Sequence, residues 1–353
     1  GSHGADLPSE RDRWIELATE NITFFSNAGE RATRHVALDL EELRAVLTEI
    51  SDLDDSSPLP IYVYVFKNDR AFTPYKMLYR GRPAATTGYF LQRDHANYIA
   101  IDGGSHTDAS DIVYHEFVHY YSATNLPEMP VWFEEGLAEL YQTFEADATT
   151  ARIGIPIDHH LLRLKTSPIM PLDQLFAVDH ASPDYNEEDR KGAFYAQSWA
   201  LVHYLMIGSE QRRAETRRFI GWLQEGVGVD DAFNRAYSTD PAGLQPEFRR
   251  YLDRTMYPYL QVAVSPKVET SNTVKKMTHA EVLFRLGDLL AQQVPPRPEV
   301  ESYLAAAVQH DPSQSEALAS LGRLAEDRAR WVEAHDFYSR ALDAGPNDPL
   351  VLY

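Results

Sequence analysis

The chain contains no cysteine among its 353 residues. Disulfide frameworks, cysteine nucleophiles and thiolate metal sites are thereby excluded. The compartment stays open, because a cysteine-free chain is at ease in reducing and oxidising surroundings alike. Long apolar runs are missing too. No stretch approaches the roughly 18 uninterrupted apolar residues of a membrane-spanning helix, so no transmembrane segment is expected. The longest run, Ile61-Tyr62-Val63-Tyr64-Val65-Phe66, has the length and composition of a strand. Basic residues are scarce: 33 Lys and Arg stand against 53 Asp and Glu, a net charge of −20. Nucleic acid is therefore not an expected partner, since phosphate binding needs a basic surface. The same charge opposes strongly acidic substrates. No P-loop, dinucleotide fingerprint or Gly-x-Ser-x-Gly elbow is present.

The remaining pattern is that of a globular chain with more than one domain. Gly1-Ser2-His3 reads as the remnant of a cleaved affinity tag, and residues 1–5 are set apart as a disordered start. Residues 14–26 read as two short strands, and Val36, Leu40, Leu43, Leu47 and Ile50 recur at helical spacing over 30–50. Segments 89–92 and 97–101 bracket Arg93-Asp94-His95-Ala96 as a hairpin. After Gly103-Gly104, one of Thr107, Asp108 or Ser110 caps a helix reaching about 124. Pro127 and Pro130 punctuate the loop before a second helix at about 131–145. Further helical segments are expected near 159–166, 172–177, 192–207, 211–225 and 246–254. Strands and one helix followed by helices predict an α+β domain over residues 6–262. Trp14, Trp132, Trp199, Trp222 and Trp331 all sit in apolar periodic contexts and read as core.

Residues 263–278 are polar and aperiodic and read as a linker. Beyond them the chain repeats itself. Leu286-Gly287 recurs as Leu321-Gly322, Tyr303-Leu304-Ala305-Ala306-Ala307-Val308 as Phe337-Tyr338-Ser339-Arg340-Ala341-Leu342, and Asp311-Pro312 is answered by Gly345-Pro346. An offset of about 34 residues, a small residue at Ala334 and proline closing each unit resemble the tetratricopeptide repeat. This predicts an all-α module over 279–353. Asn347-Asp348-Pro349 is expected to open a third unit cut short at Tyr353. Stacked repeats need neighbours, so the natural protein is expected to continue. The repeats either bind a protein partner or substrate, or pack on the preceding domain.

The string that carries chemistry is His115-Glu116-Phe117-Val118-His119. On a helix, residues four apart share one face about 6 Å apart, so both imidazoles can reach one ion. Glu116 can then reach a water activated there without being a ligand, while Phe117 and Val118 face the core. A catalytic zinc wants three protein ligands and one open position. The next helix, Pro130-Val131-Trp132-Phe133-Glu134-Glu135-Gly136-Leu137-Ala138-Glu139, offers carboxylates for the third.

Together these motifs resemble the glutamate-zincin families, which include thermolysin and the zinc aminopeptidases, over some 30 residues. In those families a tryptophan and Glu-Gly-x-Ala mark the helix of the ligand glutamate. The resemblance implies a zincin-like metallopeptidase domain in which His115, His119 and Glu135 hold Zn2+, with Glu134 the rival for Glu135. It implies that Glu116 is the general base and that Glu139 hydrogen-bonds the outer nitrogen of His115. Gly136 and Ala138 would let the two metal helices approach closely. A similar Tyr-x-x-Ser segment favours Tyr195 as stabiliser of the developing oxyanion, against a reading in which Tyr195 only packs. His203 is the weaker candidate there and reads as core. His159 and His160, adjacent on a helix, face different ways and read as surface residues. The chain lacks the Gly-x-Met-Glu-Asn segment with which the aminopeptidases bind a free amino terminus. The strand 97–101 stands where zincins keep the edge strand that pairs with an extended peptide. An endopeptidase acting on a peptide or protein substrate is therefore expected, and similar domains often follow signal peptides, so an exported bacterial protein is expected. The rival reading is a catalytically silent scaffold that binds protein partners through its repeats.

Overall fold

The structure, a computed structural model, describes residues 7–51, 59–104, 109–265 and 272–346. The helix caps expected at Thr107 and Asp108 and the third repeat expected from Asn347 lie outside the described residues. The fold is α+β, centred on a six-stranded mixed sheet. Its strand order is Thr273–Lys276, Ile15–Ala18, Ile22–Ser26, Ile61–Phe66, Asn97–Asp102, Gly88–Gln92. The three central strands run parallel, while each outer neighbour pairs antiparallel. Two expectations change here. The edge strand beside the histidine motif is Gly88–Gln92, because the hairpin folds outward and leaves Asn97–Asp102 paired on both sides. Within the stretch expected as a linker, Thr273–Lys276 pairs with Ile15–Ala18 and forms the opposite edge of the sheet.

Strand side chains alternate between faces, and the central strands sort their residues by type. Ile61, Val63, Val65, Ile99 and Ile101 face one core, built with Leu40, Leu43 and Leu47 of the helix Glu30–Ser51 and with Val113 and Phe117 of the helix Ala109–Asn125. Tyr64, Phe66, Tyr98 and Phe25 face the other, where they meet Leu283, Phe284, Leu286, Leu289 and Tyr303. Both faces are covered, which is why Ile61–Phe66 reads as one unbroken apolar run. The C-terminal helices are thus the second layer of the sheet.

Those helices form two pairs, His279–Ala291 with Val300–His310 and Ser315–Asp327 with Trp331–Ala344. The repeat is visible in the packing. A β-carbon on Gly287 would stand 2.9 Å from Cβ of Tyr303, and one on Gly322 would stand 2.6 Å from the ring of Tyr338. Each pair therefore closes on a glycine facing a tyrosine, at the same interval along the chain. Trp331 departs from the expectation of core: it is 64% exposed on the outer helix pair, where no further layer covers it among the described residues. The helix Pro241–Leu252 begins before Pro246 and carries that proline inside it, whereas the sequence pattern starts it at 246.

Each aromatic side chain sealed between the sheet and the repeats contributes about 1.5–3 kcal/mol by leaving water. A chain cut before His279 strips the cover from Tyr64, Phe66 and Tyr98. It is expected to lose its near-ultraviolet circular dichroism and its cooperative thermal transition. A truncated chain that keeps both contradicts the assignment of the repeats as a layer of the core.

Candidate metal centre

Three helices meet below the edge strand Gly88–Gln92. The first, Ala109–Asn125, carries His115, Glu116 and His119 and packs on that strand and on Asn97–Asp102. Phe117 and Val118 are buried, as expected. The second, Val131–Tyr141, carries Glu134, Glu135 and Glu139. Trp132 anchors it, fully buried and stacked on Phe176 with centroids 4.4 Å apart. The third, Glu188–Ile207, carries Tyr195. Gly136 was expected to bring the two metal helices together, but it faces this third helix. A β-carbon there would stand 2.4 Å from the carbonyl oxygen of Ser198.

The Nε2 atoms of His115 and His119 are 3.1 Å apart. Oε2 of Glu135 lies 3.4 Å from the first and 3.5 Å from the second. A tetrahedral zinc bonded at about 2.0–2.1 Å to each donor needs donors about 3.3 Å apart. The three side chains therefore fit such an ion as they stand. Glu134, the rival ligand, is not in this group. It lines the cleft instead, with its carboxyl raised by burial. Glu135 is 3% exposed, and its Oε2 is buried without a hydrogen-bond partner. The imidazoles approach it only to 3.4 and 3.5 Å, and an ion held by all three donors would satisfy it more closely.

Charge around the site is arranged for a cation. Burial alone would lower the pKa of His115, but Glu135, Glu139 and Glu116 outweigh it and lift it to about 9. Burial likewise opposes protonation of His119, and Glu135 overrides it. Burial would raise Glu135, yet the two histidines hold it well below the usual carboxylate range. Glu116 behaves differently: burial raises it, and the histidines offset this only in part. Its carboxylate lines the cleft.

Behind these three side chains stand further polar residues that touch them. Oε1 of Glu139 is 3.5 Å from Nδ1 of His115, on the side away from the triangle. Oε2 of Glu139 is 2.7 Å from Nε2 of His160. His160 is buried, while His159 is not. The pair does face two ways, but His160 faces the interior and not the surface. The Tyr185 hydroxyl donates to Oε1 of Glu135 at 2.8 Å, which leaves Oε2 facing the histidines. Tyr195 stacks on His115, centroids 6.2 Å apart, and on Tyr185 at 6.1 Å. His203 is fully buried, bonded to the Tyr251 hydroxyl and near the carbonyl of Gly154, in accord with a packing role. His160 and Tyr185 lie in no motif of their own and reach the centre only through folding.

The centre opens into a cleft of about 610 Å³ lined by Gly88 to Leu91 and by His180, Tyr185, Lys191 and Tyr195. A β-carbon on Gly88 would stand 2.9 Å from Oε1 of Glu116 and 2.9 Å from Ile112, so any larger residue there would have to displace the Glu116 carboxylate or Ile112. No family model matches the chain, and no curated protein matches it.

Partners that orient ligands typically change metal affinity about 10–100-fold when removed. Tyr185→Phe and His160→Ala are each expected to weaken zinc binding by about that factor, measured by competition with a chelator of known affinity. Unchanged affinity in both contradicts the roles given to them. Zinc needs both imidazoles without their competing protons, and the carboxylates around His115 outweigh burial and push its pKa up to about 9. Apparent affinity is therefore expected to climb with pH as far as about pH 9. Calorimetry in two buffers of different ionisation enthalpy should show protons released on binding; an affinity flat across this range contradicts the arrangement.

Proposed function

We propose that the protein is a zinc-dependent peptidase that cleaves internal bonds of extended peptides, with a zincin-like catalytic domain. One observation carries this reading: the unpartnered, buried Oε2 of Glu135 lies at ligand spacing from the two imidazoles of His115 and His119. When bound, zinc would supply Lewis acidity to a carbonyl and lower the pKa of water. The imidazole–carboxylate donor set, with no thiolate, suits it.

The chain's own groups divide the remaining work. Glu116 faces the cleft one residue after the first proposed ligand, and burial raises its pKa, the direction that suits a general base. It takes a proton from the attacking water and returns it to the leaving amine. Tyr195 lines the cleft beside His115 and is the donor proposed for the developing oxyanion. The Tyr185 hydroxyl is already engaged with Glu135, which makes Tyr185 a positioning residue. Gly88–Gln92 has a free outer edge among the described residues and runs along the cleft. An extended peptide pairing with it would be held by its backbone, a mode that tolerates varied side chains. Such a site receives the middle of a chain as readily as its end.

Glu116→Gln is expected to bind zinc as the wild type does and to lose about 10²–10⁴-fold in kcat on an internally quenched peptide. Cleavage at the wild-type rate would remove Glu116 from its role. Gly88→Ala, which pushes on the same carboxylate, is expected to lower kcat about 10–100-fold with zinc content unchanged. A Gly88→Ala protein of full activity contradicts the close passage of the edge strand.

A further inference from the structure

Away from the cleft, Glu10, His279 and His310 each bring one donor atom to within 4.8 Å of the others. Three separate segments supply them. Glu10 lies in a turn before the first strand, closed by the amide of Asp12 bonding the carbonyl of Ser9 at 2.9 Å. His279 opens the helix His279–Ala291 directly after Thr278, whose reciprocal cap with Glu281 fixes that helix start. His310 is the last residue of the helix Val300–His310. The two imidazole rings meet edge to face with centroids 4.7 Å apart. Nε2 of His310 is 3.6 Å from Oε1 of Glu10, beyond hydrogen-bonding distance.

Two imidazoles beside a carboxylate are the donor set of a divalent transition metal, whereas Mg2+ and Ca2+ prefer all-oxygen sites. Backbone position is set by two helix ends and a turn, while Glu10 and His310 are exposed and His279 half-buried. The side chains can therefore close the remaining distance by rotation. We propose that Glu10, His279 and His310 form a second divalent transition-metal site that clips the N-terminal segment to the first pair of repeat helices. It is open to water and, among the described residues, has no supporting partner like Glu139, so it binds more weakly than the buried centre.

Titrating zinc chloride into the metal-free full chain by calorimetry is expected to resolve two classes of site, one tight and one weaker. His310→Ala and Glu10→Gln, both at exposed positions outside the cleft, should lose only the weaker class and leave peptide cleavage unchanged. His119→Ala should lose only the tight class. Magnesium chloride should fill neither. A single class in the wild type at saturating zinc, or a weaker class that survives His310→Ala, overturns the second site. Loss of the tight class from the wild type would instead overturn the buried centre, so the two failures are distinguishable.

Discussion

A carboxylate buried at 3% exposure has to be answered by charge or by hydrogen bonds, and the surroundings of Glu135 are organised around that demand. One oxygen accepts from Tyr185. The other faces two imidazole nitrogens and has no hydrogen bond of its own. The potential that lifts His115 to about 9 is the potential that would draw in a divalent cation, since a proton and a metal ion compete for the same lone pair. Glu139 and His160 extend the arrangement by one more layer, turning Nδ1 of His115 outward and leaving Nε2 for the centre.

The rest of the fold holds three helices in place to within the tolerance that such a triangle allows. Gly136 lets the glutamate helix sink onto the backbone of Ser198, Trp132 pins its start, and Gly88 lets the edge strand pass over Glu116. The sheet behind these helices is covered on its far face by the C-terminal helix pairs. Of the two roles open to them, packing on the preceding domain is the one their buried aromatic interface displays.

Local patterns were legible in the sequence, and long-range pairings were not. The two histidines four apart, the short strands of 14–26 and the helix over 30–50 follow from spacing alone. So does the hairpin, but which of its strands ends the sheet depends on where the preceding strand docks, information absent from 88–102. Thr273–Lys276 escaped notice because a short polar edge strand looks like a linker until Ile15–Ala18 supplies its partner. His160 escaped for a related reason. Its neighbour His159 is exposed, and only the fold brings its ring against Glu139, from another helix. Trp331 shows the converse: an apolar residue at helical spacing stays exposed when no next layer covers it.

The central claim is that His115, His119 and Glu135 converge on a single divalent ion. Anomalous diffraction collected on either side of the zinc absorption edge, from crystals grown with zinc, tests it most directly. A zinc ion held by the three side chains gives a peak within about 2.0–2.2 Å of both Nε2 atoms and of Oε2 of Glu135. Zinc-saturated crystals with no anomalous peak inside that triangle would contradict it.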